Sequence, residues 1–360
     1  MKRIKLKPGE DIETPALLID LDILEQNIQT MSAFAKDNNI SLRPHFKTVK
    51  VPEIALMQVK AGAKGITCAK LSEAEVLADA GIENILLASQ IVAPSKIDKL
   101  TKLAGRVKYM AVAVDSIGNV LELNDSCAKN GTKLHVLVEL DVGQGRCGVR
   151  SYEEGLEVSR VVMESPNLIF DGIQAYEGHL VLKPELQVRS EGVDKLLPYV
   201  GGFKSFLEQN KIPVNEISGG GSGTYNLTCK GSIYTELQTG SYIYMDARYH
   251  KLGLPFRQTM YVMCTVVSKH KGVAVADGGL KSLSTDNGNP WLIEHIFGEF
   301  KLSEECCTIQ DPDDKFKVQD TIVFIPSHCC TTINLYDKAY GIRNGRVEKV
   351  FEVKGRGKST

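Results

Sequence analysis

Four stretches of the chain carry residue types that could do chemistry together. The first, Ser41-Leu-Arg-Pro-His-Phe-Lys-Thr-Val-Lys50, places Arg43, His45 and Lys47 at alternate positions. On a strand the three would share one face, and cations gathered at a strand's carboxyl end suit an anion. Taken alone, the stretch reads more simply as an exposed basic strand end. The second, Ser218-Gly-Gly-Gly-Ser-Gly-Thr-Tyr225, has the glycines that let consecutive backbone N–H groups approach an anion, with the Thr224 hydroxyl beside them. A plain flexible loop is the alternative there. The third and fourth read as ends of apolar strands. Asp141-Val-Gly-Gln-Gly-Arg-Cys-Gly148 offers Arg146, and Gln174-Ala-Tyr-Glu-Gly-His-Leu180 offers Tyr176, Glu177 and His179. A histidine beside a carboxylate is an acid/base candidate.

A further pair stands near the C-terminal end, in Pro326-Ser-His-Cys-Cys-Thr-Thr-Ile-Asn-Leu-Tyr-Asp337. In an extended segment His328 and Cys330 would project to one face, and imidazole plus thiolate suits a divalent ion such as zinc. Two protein ligands leave open positions, as a catalytic site does. The same spacing also suits buried cysteines beside a histidine satisfied in the core.

The elements that must position these residues alternate. Strands at 14–20, 65–68, 84–89, 109–114, 134–140, 168–175 and 216–218 are interleaved with helical periodicity at 21–36, 51–62, 94–104, 116–130, 151–164 and 186–210. A further helix opens at Ser72, with Ser72 as N-cap and Glu75 closing a capping box. Nearly wholly apolar strands separated by helices predict parallel strands covered by helices. About eight units in roughly 240 residues predict an α/β fold, a (β/α)₈ TIM-like barrel over 14–253. After about residue 254 short strands between polar turns predict a smaller β-rich domain. On a barrel, strand ends and glycine loops lie at the face where chemistry is kept.

Composition narrows the function classes. The 360 residues are 43% hydrophobic, and 43 Lys+Arg balance 44 Asp+Glu to a net charge of −1. That balance offers no general attraction to nucleic acid or an anionic membrane. No apolar run marks a signal peptide or a membrane span, and nine irregularly spaced cysteines suggest reduced thiols. A soluble cytoplasmic enzyme is the expectation.

Together the motifs resemble the D-threonine aldolase and D-serine dehydratase group of pyridoxal-phosphate enzymes, of alanine racemase-like fold. The matching stretches are Thr14–Asp20, Arg43–Thr48, Ser72–Glu75, Gly145–Gly148, Gln174–Tyr176, Gly221–Tyr225, Glu236–Tyr242 and His328-x-Cys330 with Asn334–Asp337. The resemblance implies that Lys47 forms the Schiff base with pyridoxal 5'-phosphate, with His45, Arg146, Tyr176 and Tyr242 around the cofactor. It implies that Gly221, Gly223 and Thr224 hold the phosphate. It also implies that His328 and Cys330 bind a divalent metal beside the cofactor, Zn²⁺ or Mn²⁺ first, Mg²⁺ or Co²⁺ as alternatives. By the same resemblance two subunits pair head to tail as a homodimer with shared active sites, and the N-terminal residues 1–13 join the β module.

The activity so implied is a metal-assisted lyase acting on small D-3-hydroxy amino acids. Aldol cleavage would give glycine and an aldehyde, with His179 as the candidate base and Lys47 and His179 as the catalytic residues. Dehydration would give an oxo acid and ammonia, with Lys47 removing the α-proton. Members of the group often have histidine where this chain has Val49, so no base is placed there. Cys330 resembles the dehydratases, whereas the stretches around Glu236 and Asn334 resemble the aldolases. A racemase would need a second base on the opposite face, and a non-catalytic cofactor carrier is usually a barrel alone.

Overall fold

The apolar run Ala16-Leu-Leu-Ile19 is buried throughout and forms the first strand, β1 (Ala16–Asp20), from which α1 (Leu21–Asp37) follows directly. The computed structural model describes Ile4, Leu6, Lys7 and residues 9–293 and 299–360. Positions 1–3, 5 and 8 of the segment expected to join the β-rich domain lie outside the described residues. The chain divides into a barrel unit (Met31–Lys47, Pro52–Gly240 and Lys358–Thr360) and a β-rich unit (Met1–Thr30, Thr48–Val51 and Ser241–Gly357).

In the barrel unit the strands run β2 (Ser41–Leu42), β3 (Ile66–Cys68), β4 (Asn84–Leu87), β5 (Tyr109–Val114), β6 (Leu134–Glu139), β7 (Leu168–Ala175), β8 (Glu216–Gly219) and β9 (Glu236–Leu237). All pair in parallel, in the order β2-β9-β8-β7-β6-β5-β4-β3. The ring closes where the Thr67 N–H donates to Pro44 O at 2.9 Å, the Lys64 N–H donates to Leu42 O at 2.8 Å, and His45 bridges Thr67 in parallel. The expected barrel is therefore observed. One strand differs: β1, expected to open the barrel, lies in the other sheet, and β9 supplies the eighth position. Two residues are too few for a periodic signal, so β9 left no mark in the hydrophobic pattern.

The helices behave as their sequences direct. Among them are α2 (Phe46–Val49), α3 (Pro52–Lys60), α4 (Leu71–Asp79), α5 (Pro94–Ala104), α6 (Ile117–Asn130), α7 (Tyr152–Glu164), α8 (Leu186–Gln209) and α9 (Tyr225–Thr228). Pro94 occupies the first turn of α5, where its missing N–H costs nothing. Gly131 closes α6 in the left-handed region, a conformation glycine adopts without a steric penalty. Ser151 caps α7 by accepting the Glu154 N–H at 3.1 Å. The capping box expected at Ser72 is not formed. The helix starts two residues earlier, with Lys70 as N-cap, the Glu73 carboxylate accepts the Ala69 N–H at 2.9 Å, and Ser72 Oγ donates to Thr360 O at 2.8 Å.

Among the described residues the β-rich unit is built on a nine-stranded sheet in which β1 pairs antiparallel with β10 (Met260–His270) and parallel with a strand at Lys338–Arg343. Its core joins Leu18, Tyr261, Met263, Val323 and Ile325. Short helices α10 (Ala247–His250) and α11 (Cys329–Ile333) carry the polar residues considered below.

Candidate active site

Lys47 sits in α2 rather than on a strand, so Arg43, His45 and Lys47 do not share a strand face. Pro44 interrupts β2, and the chain turns into the helix at Phe46. His45 Nδ1 accepts the Lys47 backbone N–H at 3.4 Å and so acts on that turn. Arg43 points elsewhere. It is fully buried, its Nε lies 2.9 and 3.0 Å from the two Glu236 oxygens, and its Nη2 lies 3.4 Å from Glu216. The expected anion near Arg43 is thus the protein's own pair of glutamates.

What does gather in the barrel unit is Lys47, Tyr176 and Arg146. Lys47 Nζ lies 5.5 Å from the Tyr176 ring centre, and Arg146 Cζ lies 5.9 Å from the same centre. One aromatic ring, carried beyond the end of β7, thus lies beside both a lysine amine and a guanidinium. Arg146 is about half exposed and is 3.8 Å from Glu139, whose carboxyl is pushed up by burial. A lysine amine, a guanidinium and an aromatic plane are the donor types that an aldehyde-bearing aromatic cofactor requires, so these residues fit pyridoxal phosphate.

His179 lies against the loop after β6, its Nε2 3.4 Å from where a Cβ on Gly143 would stand. Its Nδ1 is buried without a hydrogen-bond partner, and burial, with the Lys183 charge, holds its pKa below the ordinary histidine value. A neutral imidazole is suited to accept a proton near pH 7. The carboxylate expected beside it is turned away. Glu177 is fully buried and accepts the N–H groups of Gly220 and Gly221 at 3.0 and 3.2 Å, together with the Thr224 hydroxyl. Two of the three residues expected to hold phosphate, Gly221 and Thr224, thus bind an internal carboxylate.

In the β-rich unit His328 is the extended N-cap of α11, so Cys330 belongs to a helical turn and not to an extended segment. The two are nonetheless brought together, because an N-cap and the second helical residue lie on one turn. The two groups influence each other's ionisation, and His328 Nδ1 lies 2.6 Å from Asp286 Oδ2. Burial opposes the imidazolium, but Cys330 and Asp286 outweigh it and push the His328 pKa up to about 9. The Cys330 thiol is held well below its ordinary range, through hydrogen bonds from Cys329 and His328 and the His328 charge. Thr48 Oγ1 is 3.1 Å from Cys330 Sγ, and Ser241 Oγ is 4.0 Å from it. A thiolate beside an imidazole is a ready donor pair for zinc. Among the described residues no group of three or more His, Cys, Asp or Glu side chains could hold a metal, so the fit is that of a two-ligand, open site.

Tyr242 is buried in the β-rich unit, its ring 5.3 Å from that of Phe256. Cys329 donates its backbone N–H to Asp246 and is buried, as expected of a packing residue. Sequence reasoning missed Asp286, which has no periodic or spacing signal, and placed Glu177 beside the wrong partner.

The chain matches the family model described as alanine racemase, N-terminal domain, over residues 19–248, and the one described as putative serine dehydratase domain over residues 259–342. It is 36% identical to a 3-hydroxy-D-aspartate aldolase of Paracoccus denitrificans (strain Pd 1222), covering 98% of this chain and 95% of that protein. It is 35% identical to a D-threonine aldolase of Arthrobacter sp, with the same coverage. Its fold is similar to the crystal structure of D-threonine aldolase from Filomicrobium marinum, with a TM-score of 0.95, 33% identity and coverage of 100% of this chain and 99% of that one.

Proposed function

We propose that this chain, which belongs to the alanine racemase-like family that includes the D-threonine and 3-hydroxy-D-aspartate aldolases, is a pyridoxal-phosphate-dependent lyase that cleaves D-3-hydroxy amino acids between Cα and Cβ. The observation that carries the reading is near-full-length similarity to two aldolases at 35–36% identity. The grouping of Lys47, Tyr176 and Arg146 supports it within the barrel unit.

Lys47 would hold the cofactor's aldehyde carbon, Arg146 and Tyr176 would lie by its ring, and the Gly221–Thr224 loop would receive its phosphate. Pyridoxal phosphate, when bound, supplies an electron sink for the pair left on Cα as the Cα–Cβ bond breaks. His179, whose pKa burial and the Lys183 charge hold below the ordinary histidine value, is suited to take the β-hydroxyl proton, so that the Cβ oxygen becomes a carbonyl. His45 fixes the turn that carries Lys47. His328 and Cys330 would hold a divalent cation, Zn²⁺ or Mn²⁺, whose chemistry is Lewis acidity toward a hydroxyl oxygen. Asp286 orients the His328 ring.

The same reading includes a homodimer, on the family resemblance, and a reducing, cytoplasmic location, which the nine free cysteines support. Among the described residues no helix is long and apolar enough to cross a membrane.

A second reading is a dehydratase, favoured by Cys330 and by the serine dehydratase domain match over 259–342. The test is a product assay on D-threonine, D-serine and D-threo-3-hydroxyaspartate with pyridoxal phosphate and added Mn²⁺ or Zn²⁺. Glycine with an aldehyde (glyoxylate from the hydroxyaspartate) supports the aldolase. Stoichiometric ammonia without glycine refutes it in favour of the dehydratase.

A further inference from the structure

Glu177 has the connections of a clamp. Its carboxylate is fully buried, an expensive placement for a charge unless donors converge on it. Here they do, and all come from the loop that follows β8. Oε2 accepts the Gly220 N–H at 3.0 Å, and Oε1 accepts the Gly221 N–H at 3.2 Å together with the Thr224 hydroxyl. Burial raises the carboxyl's pKa, and those same donors work against the rise. The loop has little room to move around this anchor. A Cβ on Gly219 would stand 2.3 Å from Ala175 O, and one on Gly221 would stand 2.5 Å from a Val181 methyl. Ser222 and Gly223 are thereby tethered on both sides, at Gly220–Gly221 and at Thr224.

Backbone N–H groups bind an anion well only when they are already aligned, because ordering a glycine loop on binding costs conformational entropy. We propose that Glu177 is a positioning residue for the cofactor's phosphate, holding the glycine loop by Gly220, Gly221 and Thr224 so that the Ser222–Gly223 segment meets the phosphate in one fixed shape. The proposal rests on the pyridoxal-phosphate reading above.

The experiment compares two aldehydes on the cofactor-free full-length protein, pyridoxal phosphate and pyridoxal, by titrating the absorbance band of the Lys47 linkage. Inorganic phosphate serves as a competitor. Wild type binds the phosphorylated aldehyde more tightly. Glu177→Ala loses about tenfold or more of that preference, roughly the worth of one charge-assisted hydrogen bond, while pyridoxal affinity stays as in wild type. Glu177→Gln keeps an acceptor for Gly221 and Thr224 but not for Gly220, and falls between the two. If Glu177→Ala does not fold, Glu177→Gln carries the test. Affinities for both aldehydes falling together, or neither changing, would reduce Glu177 to general stability and overturn the proposal. Tighter phosphate binding in the variants would also overturn it, by making the carboxylate a competitor. A wild type that does not discriminate between the aldehydes, and ignores inorganic phosphate, removes the phosphate reading of the loop itself. That outcome is distinct from discrimination that survives loss of Glu177.

Discussion

Replacing Arg43 with methionine should destabilise the barrel unit while leaving cofactor affinity intact. Arg43 is fully buried, with two Nε contacts at 2.9 and 3.0 Å to Glu236 and one Nη2 contact at 3.4 Å to Glu216. Removing one partner of a buried ion pair costs about 3–5 kcal/mol, and here the two glutamates would be left with only the partly exposed Lys64, 3.4 Å from Glu236 and paired with Glu216. For a unit of roughly 200 residues that is a fall in Tm of roughly 10 °C. The pH dependence gives the sign. Burial alone would raise the Glu236 carboxyl, but the charge and hydrogen bonds of Arg43, with the Lys64 charge and the Ser218 hydroxyl, outweigh it and hold it below the ordinary value. In wild type its contribution is therefore present above the unfolded carboxyl pKa and is lost as pH falls through the folded one. Without Arg43 the largest contribution opposing burial is gone and the folded pKa rises, which Lys64 and Ser218 only partly resist. For a rise past the unfolded value, the contribution is full below the unfolded value and is lost as pH rises. The gap between variant and wild type should accordingly be wider at pH 8 than at pH 5. Thermal unfolding followed by far-UV circular dichroism at both pH values measures it, alongside a pyridoxal-phosphate titration. Adding Glu236→Leu should recover part of the loss. An unchanged Tm with weakened cofactor binding would refute the reasoning and return Arg43 to the role of an anion-binding group.

Four other outcomes are expected. Lys47→Ala should abolish the absorbance band of the lysine–cofactor linkage, and survival of the band would assign it to another lysine. Asp286→Ala should weaken Zn²⁺ or Co²⁺ affinity by about 10–100-fold, the usual cost of losing a carboxylate behind a ligating histidine. In wild type that affinity should rise from pH 7 to about 9, where His328 gives up its proton, then level off. Equal metal affinity in the variant, or a flat pH profile, would sink the assignment. Cys307 is buried and its thiol is pushed up to about 12 by burial and by Cys306, so alkylation at pH 8 followed by peptide mapping should leave it unmodified in the folded protein.

Most of the barrel was legible because its signals are local. The strands at Tyr109–Val114 and Leu168–Ala175 and the helix at Pro94–Ala104 have the bounds that their apolar runs, periods and breakers indicate. The destination of β1 was not, because an apolar strand reads alike whichever sheet it enters. In the site, the strand-end placement of Arg146, Tyr176 and His179 followed from the alternation of elements. The pairing of His328 with Cys330 was anticipated for a different geometry, an extended segment in place of a helix cap.

By itself the sequence determined the alternation of strands and helices, the change to a β-rich unit, and the residue types available for chemistry, since periodicity and side-chain identity are properties of neighbours along the chain. Only the tertiary structure decided which charges meet. It gave Arg43 to Glu236 and Glu216, Glu177 to the glycine loop, and Asp286 to His328. Each pair is separated by 40 or more positions in the chain. A buried ion or acceptor takes the partner that packing brings within hydrogen-bond reach, and no local pattern specifies that partner.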